Sequence, residues 1–171
     1  MIRLASVDDV PLLPAIEASA AQLFAGTAVA HLADGPTTPL AALAQGARSG
    51  SLWIADDAGP VGFLLAAATA GWLHIQELSV ARTAQGGGHG GALLAAAIAA
   101  APGLGCAQLS LITDRLLPWN APFYARRGFG EVAAHDAAVP GWLAAKLSPH
   151  PGDGLDPARR CIMIRPKSPA S

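Results

Sequence analysis

Apolar residues along this chain change their period several times, and each change marks an element. Residues 2–4 read as a short strand. Ser6, Asp8 and Asp9 then precede Leu12, Leu13, Ile16 and Ala20, which recur at helical spacing. A helix is predicted from there to about Phe24, with the Ser6 hydroxyl accepting an N-terminal backbone N–H and both aspartates in the first turn, where the dipole favours them. Pro11 and Pro14 are tolerable only near its start. From 26 to 50 the pattern loosens around His31, Asp34, Gly35, Pro36, Thr37, Thr38 and Pro39, then tightens into an alanine-rich short helix near 40–48.

Next comes a meander of three antiparallel strands at 51–56, 61–68 and 72–80, with turns at Asp57-Ala58-Gly59-Pro60 and Thr69-Ala70-Gly71. Residues 86–91 form a glycine-rich bend, and 92–101 are almost all helix formers until Pro102-Gly103 stops them. A strand at 107–113, a short helix at 120–127 ending at Gly128 and a strand at 129–133 follow. Residues 135–157, rich in Pro, Gly, His and Asp, read as an elaborated crossover loop with a short helix near 142–147. A last strand at 161–165 and a frayed tail at 167–171 complete a mixed α/β pattern.

Composition narrows the possibilities. At 171 residues the chain is expected to be one domain, 1–171, and 52% hydrophobic against 13% charged residues places it far from the disordered class. A net charge of −1 and the lack of a basic run argue against a nucleic-acid partner. The longest apolar stretch, 61–73, is well short of the ~20 residues of a membrane-spanning helix. The N-terminus lacks the charged-then-apolar order of a signal peptide. Cys106 and Cys161 stand apart, each in an apolar run, and read as buried thiols in a reducing compartment. The expectation is therefore a cytoplasmic protein without a membrane partner. The hydrophobic excess makes a homodimer plausible.

Chemistry concentrates in two stretches. In the first, Leu78-Ser79-Val80 leads into Gln85-Gly86-Gly87-Gly88-His89-Gly90-Gly91 and then a helix. Consecutive glycines let backbone N–H groups converge, and the helix N-terminus adds partial positive charge, so the bend suits an anion such as a pyrophosphate. Gly86, Gly88 and Gly91 also satisfy GxGxxG, but they follow an antiparallel meander and no βαβ unit with a distal acidic residue accompanies them. No Gly-Lys-Ser/Thr ending supports a nucleotide P-loop.

The second stretch is Pro118-Trp119-Asn120-Ala121-Pro122-Phe123-Tyr124-Ala125-Arg126-Arg127-Gly128-Phe129. Gln-x-x-Gly-x-Gly after Leu-x-Val, followed some thirty residues later by Asn-x-x-Phe-Tyr-x-x-x-Gly-Phe, resembles the two signature segments of the GCN5-related N-acetyltransferase family. The resemblance implies a mixed, mostly antiparallel central sheet flanked by helices and splayed between its fourth and fifth strands. It implies acetyl-CoA (coenzyme A) as cofactor, a small-molecule or peptide amine as acceptor, and no metal. The cofactor-binding residues it implies are Leu78, Ser79 and Val80 for the pantetheine, Gln85, Gly86, Gly87, Gly88, His89, Gly90 and Gly91 around the pyrophosphate, and Asn120 and Tyr124.

Tyr124 occupies the position where many members carry the tyrosine that protonates the departing thiolate, although Phe123 and Tyr124 could also simply pack the short helix. Glu77, beside the slot and on the face opposite Leu78, is the candidate base, with His74 and His31 as rivals. Gln85 stands where arginine is commoner, Gly87 where a basic residue is frequent and His89 where an aliphatic is usual. Arg82 is a possible phosphate partner, and Arg126 and Arg127 read as solvent-facing at a helix end. Phe24 to His31, Trp53, Trp72, Trp119 and the 135–157 loop are candidates for the acceptor's surroundings. A non-catalytic acyl-CoA-binding domain on the same fold is the alternative.

Overall fold

The computed structural model describes residues 1–147 and 156–166. The predicted tail at 167–171 and part of the predicted crossover loop lie outside the described residues. One seven-stranded sheet organises the chain: β1 (Ile2–Leu4), β2 (Leu52–Asp56), β3 (Pro60–Thr69), β4 (Trp72–Val80), β5 (Gln108–Asp114), β6 (Gly130–Val132) and β7 (Arg160–Arg165). Their spatial order is β1-β2-β3-β4-β5-β7-β6, and every neighbouring pair is antiparallel except β4 and β5. The mixed, mostly antiparallel sheet of the sequence reading is therefore present.

Helices cover both faces. α1 (Leu13–Ala21) and α2 (Leu40–Ser49) bring Leu13, Ile16 and Leu43 onto Leu52, Ile54, Phe63 and Leu65. α3 (His89–Ala100) brings Leu93, Leu94 and Ala97 onto Trp53, Leu64, Leu73 and Ile75 of the opposite face. Strand alternation explains this division, since Leu52 and Ile54 point one way and Trp53 the other. With both faces covered, β2 is buried at four successive positions and reads as an unbroken apolar run. A smaller cluster of Trp72, Leu143, Ile162 and Ile164 sits under α5 (Gly141–Ala145), after α4 (Ala121–Ala125). Among the described residues no helix is long and apolar enough to cross a membrane.

One irregularity in β4 has consequences for the site. Leu65 pairs with Glu77 but Ala66 pairs with Ile75, which leaves Gln76 as an extra residue. This bulge reverses the alternation. Ile75 and Leu78, three residues apart, both reach the α3 face, while Glu77 and Ser79 stand opposite Leu65 and Phe63 on the α1 face.

The N-terminal helix departs from expectation. It opens with a 3-10 turn at Val10–Leu12 and becomes α-helical only at Leu13, because Pro11 and Pro14 each lack an N–H. Ser6 is no cap. Its N–H and hydroxyl both donate to Asp9 Oδ2, at 2.8 and 3.0 Å. Asp9 in turn receives two hydrogen bonds from Arg3, at 2.8 Å each, and Arg3 Nε donates to Asp56 Oδ2 at 2.8 Å. This network ties β1, β2 and the start of α1 together. The predicted helix at 92–101, by contrast, starts earlier, at His89, with Gly88 as its N-cap at a left-handed φ of 82°.

The Arg3 guanidinium, with help from Ser6, holds the Asp9 carboxyl well below the ordinary 3.8. The stability it contributes is present above the unfolded value and is lost as pH falls through the folded one. Asp9→Asn is expected to destabilise the protein by about 1–3 kcal/mol at pH 7. Urea midpoints should show this gap shrinking steadily below about pH 4.

Candidate functional site

β4 and β5 stay together for only three residue pairs, Trp72 with Gln108, Leu73 with Leu109 and His74 with Ser110. Beyond these the strands part. β4 remains bound to β3 as far as Val80, and β5 remains bound to β7 as far as Asp114. The edges that face one another across the gap thus carry main-chain N–H and C=O groups without a strand partner, which must be met by water or a ligand. The gap opens into a cleft of about 730 Å³ lined by Leu78, Ser79 and Val80 on one side and Ile112, Thr113 and Asp114 on the other.

At one end the cleft meets the glycine bend. Gly86 and Gly88 each have φ of 82°, a conformation open mainly to glycine. α3 has no side-chain cap, and Ala92 donates to Gly88 O at 3.0 Å in its first turn. The N–H groups of His89, Gly90 and Gly91 precede that bond and have no intrahelical acceptor, so they leave a concentration of positive partial charge at the cleft. Gln85, Gly86, Gly88, His89, Gly90 and Gly91 all line it, whereas Gly87 does not. The His89 ring instead folds over Gly87, 3.3 Å from where a Cβ there would stand. Gln85 Nε2 donates to the Val80 carbonyl at 3.1 Å, so that side chain and that acceptor are already engaged within the protein.

Glu77 and Tyr124 are among the titratable groups that line the cleft. Ser79 Oγ donates to Glu77 Oε1 at 2.7 Å. Burial pushes the Glu77 carboxyl up to about 7, the nearby Glu17 charge adds to the rise, and the Ser79 hydrogen bond opposes it. Glu17 is itself pinned, accepting from the Thr38 N–H at 3.0 and 2.9 Å and from the Thr38 hydroxyl at 3.1 Å. Tyr124 packs edge-on against Phe123 and Phe129, with ring centroids 5.1 and 5.9 Å away. Burial raises its phenol above the ordinary range, the Glu77 charge raises it further, and Arg127 opposes the rise. Asn120 caps α4 through its main chain, its carbonyl accepting from Phe123 and Tyr124. Its side chain makes no capping bond.

Other sequence candidates fall elsewhere. His74 is buried between Ser110, whose Oγ lies 3.0 Å from Nδ1, and Trp142, and it does not line the cleft. Burial, with a contribution from Lys146, lowers its pKa to about 4. His31 and Arg82 also lie off the cleft, while Trp53 and Trp72 are core residues. Trp119 does line it, with Nε1 buried and lacking an acceptor among the described residues.

Some lining residues escaped the sequence reading. Glu17, Leu23, Phe24, Val29 and Leu32 form a wall on the α1 face, of which only Phe24 and Val29 fell in a flagged stretch. Arg127, Arg159 and Arg160 also border the cleft, as does Asp156, which falls in the flagged 135–157 loop. Arg159 pairs with Asp114 at 2.7 Å. The spacing of Glu17 from Ile16 and Ala20 gave no sign that α1 would turn it toward a strand so distant in sequence.

The family model of the acetyltransferase (GNAT) domain matches residues 48–131, from the end of α2 into β6. In structure the chain is similar to N-acetylglutamate synthase from Neisseria gonorrhoeae, solved with coenzyme A and N-acetyl-glutamate. The TM-score is 0.71 at 21% identity, over 99% of this chain and 35% of that one. This chain thus spans about a third of that protein's length. It is also similar to the PaiA N-acetyltransferase from Thermoplasma acidophilum in complex with coenzyme A (TM-score 0.67, 17% identity, 97% of this chain and 98% of that one). A third likeness is to ribosomal-protein-alanine N-acetyltransferase from Brucella melitensis (TM-score 0.68, 20% identity, 97% and 99%). At such identities what is shared is the fold.

Because the folded-state pKa of Glu77 lies near 7 rather than 4.5, its ionisation opposes folding as pH rises through that window. Glu77→Gln keeps an oxygen for Ser79 and removes the charge. The variant is expected to melt a few degrees above the wild type at pH 8, with the difference fading toward pH 4, as read by differential scanning calorimetry at several pH values.

Proposed function

Since residues 48–131 of this chain belong to the GNAT acetyltransferase domain family, we propose that it transfers the acetyl group of acetyl-CoA to a primary amine by direct attack. One observation carries this reading. The parted β4 edge, the uncapped N-terminus of α3 and the side chains of Glu77 and Tyr124 all open into the same cleft.

The residues present fit the cosubstrate. Main-chain groups along the free edge of β4 suit the amides of a pantetheine arm, and the N–H groups of His89, Gly90 and Gly91 suit its diphosphate. The side chain of Asn120 adds a polar contact near the arm. Bound there, the thioester supplies an activated acetyl group. The acceptor enters from the opposite face, over α1, where Leu23, Phe24, Val29 and Leu32 offer an apolar wall and Glu17 with Glu77 offers negative charge to an ammonium group.

An ammonium has no lone pair for attack, so the reaction needs a base. Glu77, with its pKa raised to about 7, is ionised in a large fraction of molecules at neutral pH and basic enough to take the proton directly or through a water. Tyr124, with its pKa raised above the ordinary range, keeps its proton until the thiolate departs. The two roles reinforce one another. Once Glu77 is protonated, the charge that helps hold the proton on Tyr124 is gone, and the phenol becomes the better donor.

Coenzyme A release across a panel of primary amines tests the reading. Turnover is expected on some amine, and Tyr124→Phe should lower kcat by a factor on the order of 10² while cosubstrate binding holds. The wild-type rate should climb with pH through about 7, and Glu77→Gln should be slow and lack that limb. Binding without turnover on any amine would instead favour an acyl-CoA-binding domain, and a wild type that binds no coenzyme A would sink both readings.

A further inference from the structure

Arg127 follows α4 in the doublet Arg126-Arg127, and its position contradicts the solvent-facing role that sequence spacing assigned to it. Its side chain lines the cleft against the first turn of α3. Nη2 stands 2.8 Å from the place a Cβ on Gly91 would occupy, so a side chain there would push the guanidinium aside. The group is held in place: Nη1 donates to the Phe123 carbonyl at 2.8 Å, and Cζ lies 3.8 Å above the centre of the Phe123 ring. Arg165 Nε donates to the Arg127 carbonyl at 3.3 Å, which fixes the main chain beneath it.

A cation beside the N-terminus of a helix is electrostatically misplaced, because both carry positive charge. No carboxylate pairs with Arg127 among the described residues. An anion placed between the guanidinium and the free N–H groups would turn this repulsion into two attractions. The bend supplies no arginine of its own, since Gln85 stands in that place and its amide is engaged with Val80. His89, the other titratable side chain of the bend, lies over Gly87.

We propose that Arg127 is the cationic half of the diphosphate site for coenzyme A, forming with the N–H groups of His89, Gly90 and Gly91 a clamp that replaces a loop arginine in this chain. The proposal rests on the acetyl-CoA reading above. Its test is calorimetric titration of the wild type, Arg127→Gln and the exposed-site control Arg126→Gln with coenzyme A, 3′-dephospho-coenzyme A and pantetheine. Arg127→Gln is expected to weaken both diphosphate-bearing ligands alike, by about tenfold or more. Pantetheine binding, and all binding by Arg126→Gln, should stay at the wild-type level.

Unchanged affinity of Arg127→Gln for coenzyme A overturns the proposal, as does an equal loss for pantetheine, which would mark a purely structural role. A loss confined to coenzyme A would assign Arg127 to the 3′-phosphate and overturn the diphosphate assignment. A wild type that binds no coenzyme A overturns the acetyltransferase reading together with this one, whereas firm wild-type binding with an unaffected variant overturns this one alone. If circular dichroism shows Arg127→Gln unfolded, the wild type carries the test. Inorganic pyrophosphate should shift the Arg127 Nε–Hε resonance, and no shift at saturating pyrophosphate overturns the assignment.

Discussion

The parting of β4 from β5 is the constraint on which the rest of this structure depends. Two parallel strands that begin in register and then separate expose main-chain donors and acceptors that a continuous sheet would have satisfied. The opening persists because each arm has its own support. The β4 arm is packed on both faces, by α1 against one side and α3 against the other. The β5 arm is paired along its length with β7 and backed by the cluster around Leu143 and Ile162. The cleft is thus built from strands rather than from loops, which gives its lining groups a rigid frame.

Charge is distributed along that cleft although the chain as a whole is nearly neutral. The uncapped end of α3 and Arg127 make one end positive, while Glu17 and Glu77 make the α1 face negative. This local asymmetry is the one the proposed reaction calls for, with a polyanionic donor on one side and an ammonium acceptor on the other. The bulge at Gln76 is what assigns Glu77 to the α1 face and Leu78 to the α3 face. Farther away, Arg3 bridges Asp9 and Asp56 and fixes how α1 leaves the sheet. The helix that carries Glu17 therefore depends on an ion-pair network remote from the cleft.

Most elements were legible in the chain because their signals are local. Apolar strand runs at 51–56, 61–68 and 72–80, the Pro102-Gly103 stop and the Gly128 terminator need only neighbours within a few residues to act. The glycine bend was legible for the same reason, although its helix starts three residues earlier than alanine content alone suggested. The Ser6 cap failed because a nearby carboxylate took its hydroxyl. Asp9 is claimed by Arg3, and Ser6 serves that carboxylate instead of the helix.

By itself, then, the sequence determined the order of strands and helices, the glycine-rich bend ahead of α3 and the two motif segments that resemble one acetyltransferase family. It also held Glu77, Asn120 and Tyr124 as residues with suitable chemistry. Only the tertiary structure decided which of them meet. His74 and Glu77 lie three residues apart on one strand, yet one is sealed beneath Trp142 and the other opens to the cleft, because β5 covers the first and leaves the second. Arg127 and Gly91 are far apart in sequence and touch only because α4 packs beside α3. Proton affinities and the places of charges depend on burial and on neighbours brought from distant segments, and those neighbours exist only once the sheet has formed.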